Sequence, residues 1–100
     1  MNVLTRREQM DLTSELMTVI DRASTTLCAN KPYTHTYNET LSFELWATYF
    51  NNSKEIDTIT VIGRVHDIDY EGITLPCNWS HKEMLNDLQY LVRMCVKDAD

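Results

Sequence analysis

Apolar residues recur at Leu12, Leu16, Ile20, Ala23 and Leu27. The steps of four, four, three and four trace one stripe of a 3.6-residue helix. Met17, Val19 and Cys28 widen the stripe, while Asp11, Glu15, Asp21 and Arg22 fall mostly away from it. Ahead of it, Thr5-Arg6-Arg7-Glu8 reads as a capping box: the Thr5 hydroxyl can satisfy the Glu8 amide while the Glu8 carboxylate reaches back to the Thr5 amide. Asn30-Lys31-Pro32 supplies a stop, because proline disfavours helix in the residue before it. The spacing therefore predicts a helix over about residues 5–30.

The period then changes to two. Leu41, Phe43, Leu45, Ala47 and Tyr49 alternate with Ser42, Glu44, Trp46, Thr48 and Phe50, the signature of a half-buried strand. Asn51-Asn52-Ser53-Lys54 is turn chemistry. Residues 56–65 are rich in β-branched side chains and read as the hairpin partner, with Ile59, Val61, Gly63 and Val65 on one side and Thr58, Thr60 and Ile62 on the other. Residues 33–37 alternate as well and predict a further strand with Pro32 at its start. Residues 68–75 predict a short fourth strand around a turn at Glu71-Gly72.

A second capping box, Ser80-His81-Lys82-Glu83, opens a second helix to about residue 97, whose apolar face is Met84, Leu85, Leu88, Leu91, Val92 and Cys95. The order helix, two to four antiparallel strands, helix points to a single α+β domain over residues 1–100. Its expected form is a two-layer sandwich with both helices on one sheet face. In that arrangement Trp46 and Phe50 lie on the opposite face, with no further layer in the sequence to cover them. Large rings on an open sheet face mark a contact surface.

Composition supports a folded chain. Of 100 residues, 43% are hydrophobic and four are Gly or Pro, so a modest core forms without disulfide or metal staples. No stretch approaches the ~20 apolar residues of a membrane span. The first sixteen residues are too polar for a signal-peptide core.

Charge narrows the partners. Fifteen acids against nine Lys and Arg leave a formal net charge of −6, which repels nucleic-acid phosphates at long range. The excess is local: residues 39–71 hold seven acids and two bases, a net of −5, whereas residues 1–38 are balanced. Glu44, Asp57, Asp67 and Asp69 belong to this segment and are its candidate contacts for a protein with a basic surface. Arg6-Arg7 is the one basic pair and is expected to solvate the helix end or to pair with Asp11.

Three widely spaced cysteines, Cys28, Cys77 and Cys95, argue against a disulfide framework and for a reducing cytoplasmic compartment. Three Asn-x-Ser/Thr triplets, those at Asn38 and Asn78 and one within Asn51-Asn52-Ser53, are read as turn chemistry. Cys77-x-x-x-His81 with His66, Asp67 and Asp69 upstream could form a weak zinc shell, but no Cys-x-x-Cys accompanies it. A Cys77–His81 nucleophile pair would lack an oxyanion hole, since glycine occurs only at Gly63 and Gly72. Neither a cofactor nor a catalytic residue is assigned. Cys28 and Cys95 read as core.

The expectation is a small acidic, non-enzymatic interaction module. It binds and modulates or inhibits a protein partner through Trp46, Phe50, Glu44, Asp57, Asp67 and Asp69, or pairs with a second copy. One alternative is an inhibitor whose carboxylates mimic nucleic acid. The other is a small metal-dependent or cysteine enzyme.

Overall fold

A computed structural model of the chain describes residues 4–22, 31–50, 55–76 and 78–99. Helix α1 (Arg6–Asp21) is followed by β1 (Tyr33–Thr36), β2 (Leu41–Tyr49), β3 (Ile56–Val65), β4 (Ile68–Pro76) and helix α2 (His81–Ala99). The strands form one antiparallel sheet in the order β1-β2-β3-β4. This is the expected α+β order. No helix among the described residues is long and apolar enough to cross a membrane.

Both helices start at capping boxes. The Glu8 amide donates to Thr5 Oγ1 at 3.1 Å and the Thr5 amide to Glu8 Oε1 at 3.0 Å. Ser80 and Glu83 repeat the exchange, with both bonds at 3.2 Å. These bonds satisfy amides that have no partner inside a helix. At the other end α1 stops at Asp21. The Arg22 amide is shared between Thr18 O at 3.3 Å and Val19 O at 3.2 Å, so the last turn tightens and closes. Residues 23–30, which carry the rest of the expected helix and its stop, lie outside the described residues, as does the 51–54 turn.

The connections follow local chemistry. Between β1 and β2, the Asn38 carboxamide oxygen accepts from the Thr40 and Leu41 amides, both at 2.8 Å. This is the Asx turn expected of that triplet. The turn between β3 and β4 is His66-Asp67, not Glu71-Gly72. His66 (φ 54) and Asp67 (φ 64) both adopt the left-handed conformation, and Val65 pairs with Ile68. A two-residue hairpin with positive φ at both positions matches strand twist, which places the reversal here. Glu71 and Gly72 instead lie inside β4, opposite Gly63 and Ile62. Arg64 pairs with Asp69 and Gly63 with Glu71, so Tyr70 is the extra residue of a β-bulge.

Alternation sets the core. Leu41, Phe43 and Leu45 of β2, Ile59, Val61 and Val65 of β3, and Leu75 of β4 are buried. Above them lie Leu12, Leu16, Met17 and Ile20 of α1 and Met84, Leu88, Leu91, Val92, Cys95 and Val96 of α2. Register puts His35 and Gly63 on either side of Phe43, hence on one face. His35 meets Glu15 of α1 at 3.4 Å, and Gly63 abuts Cys95 of α2. Both helices thus pack on that face. Each large aliphatic side chain fully buried there contributes about 1.5–3 kcal/mol. Thr13 is buried inside α1 with its hydroxyl donating to Gln9 O at 2.8 Å, so it carries no unmet bond.

Candidate interaction surface

Even-numbered residues of β2, and those of β3 from Thr58 onward, point away from the helices; the register shift at Thr48/Tyr49 turns Ile56 to the core side. Glu44, Trp46 and Thr48 alternate with the buried positions, and Thr60, Ile62 and Arg64 do so on the neighbouring strand. Trp46 stands opposite Thr60, with Ile62 on the diagonal. Neither Trp46 nor Ile62 joins the apolar side chains packed against the core, although Trp79, Tyr33 and Tyr49 do. Trp46 is half-buried rather than fully open. A pleated surface surrounds a large ring with cross-strand and same-face neighbours even without a second layer.

Phe50 follows four residues later, about 13 Å along the strand at ~3.3 Å per residue. It is 49% exposed. Its amide donates to Glu55 O at 3.0 Å, which holds it at the end of the β2–β3 hairpin. Beside it, an open cleft is bordered by Ile56, Asp57, Pro76 and Asn78. Phe50 and Asp57 therefore share one end of the sheet.

Glu44, Asp67 and Asp69 gather at the other end, around Arg64. The Arg64 Nη1 donates to Glu44 Oε1 at 3.2 Å, and Nη2 donates to the Asp67 carbonyl at 2.9 Å. Nε lies 3.1 Å from Asp69 Oδ1, off the line of its N–H bond, an ion pair without a hydrogen bond. One guanidinium thus offsets two carboxylates and ties the outer face to the hairpin turn. The Glu44 side chain is 19% exposed, so its charge is better held than that of an open surface pair. Arg64 was not singled out by sequence. Alternation puts it on the outer face, but only the β2–β3 register brings it diagonal to Glu44.

The carboxylates do not form a row. Glu71 lies on the helix side, where it faces Cys95, and Asp57 is at the far end from Glu44 and Asp69. Regular phosphate-like spacing along one face is not what this register produces among the described residues.

Of the other chemical candidates, Cys77 lies outside the described residues. His66 is taken up in the hairpin turn, and His81 opens α2 with Nε2 3.9 Å from Asp21 Oδ2. Among the described residues no three His, Cys, Asp or Glu side chains come close enough to hold a metal ion. Cys95 is buried, and desolvation first, then the Glu71 and Asp98 charges, push its thiol up to about 12. A thiol so placed stays protonated and is a poor nucleophile. Comparison with protein-family models, with curated proteins and with solved structures finds no match to this chain.

Proposed function

We propose that this chain is a non-enzymatic interaction module whose contact surface is the sheet face away from the helices. The observation that carries the reading is that both helices pack on one side. Trp46, Ile62 and the exposed ring of Phe50 then lie outside the core with no layer over them among the described residues. Trp46 and Phe50 supply apolar anchor area of the kind that dominates binding energy. The net charge of −6 steers a partner with a basic surface, and Asp57, Asp67, Glu44 and Asp69 set its register. Binding modulates or inhibits the partner by covering its surface.

The test is affinity capture from the native host with the wild-type chain and the Trp46→Ala/Phe50→Ala variant side by side. A partner retained by the first and lost by the second, at equal helix content by circular dichroism, is the expected result. Equal capture by both chains overturns the reading. A solution mass that doubles for the wild type and not for the variant would identify the partner as a second copy.

A further inference from the structure

On the helix layer, away from the open sheet face, α1 and α2 leave a groove of about 210 Å³. Arg6, Gln9, Met10 and Thr13 line it from α1, at the i, i+3, i+4, i+7 spacing of one helical face, and Gln89 and Arg93 line it from α2. Among the described residues no carboxylate borders it.

That is unusual for a chain with fifteen acids and nine Lys and Arg. Neither Arg6 nor Arg93 has an ion-pair partner among the described residues. Helical spacing explains why. The positions three and four beyond Arg6 are Gln9 and Met10, and those three and four from Arg93 are Gln89, Tyr90, Val96 and Lys97. Glu8, the acid in the first turn of α1, is turned to the other side. It closes the capping box on Thr5 and approaches the Tyr37 hydroxyl of β1 at 3.4 Å. The groove also lies at the N-terminal half of α1, whose dipole adds to the positive potential.

We propose that this groove binds a compact dianionic oxyanion, a phosphoryl group. Two guanidinium forks match its two charges and its several acceptor oxygens, and the Gln89 carboxamide adds a neutral donor. Gln9 frames the site, its Nε2 being engaged with Leu4 O at 3.2 Å. The volume suits one such group with its nearest substituent and falls below the ~300 Å³ of sites for larger ligands. The source is either free phosphate or the phosphomonoester of a small molecule.

The experiment is an amide-resolved NMR titration of the isotope-labelled full chain with inorganic phosphate, with glycerol phosphate, and with sodium chloride at matched ionic strength. Saturable shifts at Gln9, Thr13, Gln89 and Arg93, with half-saturation near ~1 mM or below, are expected for at least one phosphate and not for chloride. The tighter of the two identifies the source. The Arg6→Gln/Arg93→Gln variant, with unchanged circular dichroism, should bind at least about tenfold more weakly, and Arg6→Lys/Arg93→Lys should fall between. Shifts that stay linear in phosphate, match those of chloride, or persist undiminished in the glutamine variant overturn the assignment.

Discussion

Gly63 of β3 and Cys95 of α2 meet so closely that a Cβ built on Gly63 would collide with the Cys95 sulfur. Glycine is required there by close approach, not by backbone conformation, since its φ is not positive. Gly63→Ala should lower stability by about 1–3 kcal/mol, the usual cost of overpacking. Cys95→Ala should recover part of that loss, because it removes the atom in the way. Chemical denaturation of the two single variants and the double measures the coupling, and strict additivity would show that the two residues do not compete for space.

The same burial governs Cys95 chemistry. Its folded pKa is pushed up to about 12, above an ordinary value of 9.0, so the unfolded chain releases this proton first as pH rises. The stabilising contribution is complete below pH 9 and is lost progressively as pH climbs toward about 12. A chain retaining only this thiol (Cys28→Ser/Cys77→Ser) should resist an aromatic disulfide reagent at pH 8 and react fully in denaturant. Rapid reaction of the folded chain would contradict the burial.

Glu8 works in the opposite direction. The Thr5 amide, donating to Glu8 Oε1 at 3.0 Å, and after it the Thr5 side chain hold its carboxyl below the ordinary 4.5. The stabilisation is present above the unfolded pKa and is lost as pH falls through the lower folded one. In an NMR titration, Thr5→Ala should move Glu8 only part of the way back toward its ordinary value, because the backbone amide at position 5 still donates to it; loss of the cap should cost about 1 kcal/mol of stability. A Glu8 titration unchanged by that substitution would show that the Thr5 side chain does not act on the carboxylate in solution.

Arg64 holds the outer face together. Arg64→Met should lower stability by about 1 kcal/mol in low salt, because it leaves the half-buried Glu44 unpaired beside Asp69. Adding Glu44→Gln should restore much of the loss. If Glu44→Gln costs as much in the variant as in the wild type, the pair is not coupled.

The β3–β4 turn places two non-glycine residues in the left-handed region. Asp67→Gly should therefore raise the unfolding midpoint, with a gain of about 0.5–1 kcal/mol. The bond from Arg64 to the Asp67 carbonyl survives the change, because it uses backbone. A fall in stability would mean that the Asp67 carboxylate does more than tolerate its conformation.

Much of the fold was legible in the sequence because its signals are local. Thr5-x-x-Glu8 and Ser80-x-x-Glu83 announce helix starts through side chains that reach only three residues. The alternation from Leu41 to Tyr49 separates two faces because successive side chains on a strand must point in opposite directions. The α+β order, the buried face of β2 and the outward position of Trp46 follow from those rules. The β3–β4 turn did not: Glu71-Gly72 has the better turn composition, yet pairing all of β4 with β3 outweighs it and leaves His66-Asp67 to make the reversal. Register decided the rest. It joined Arg64 to Glu44 and Asp69, separated Asp57 from them, half-covered Trp46, and brought Gly63 beneath Cys95 thirty-two positions away. Contacts of that range depend on how whole strands and helices stack, and no local pattern of apolar and polar residues encodes them.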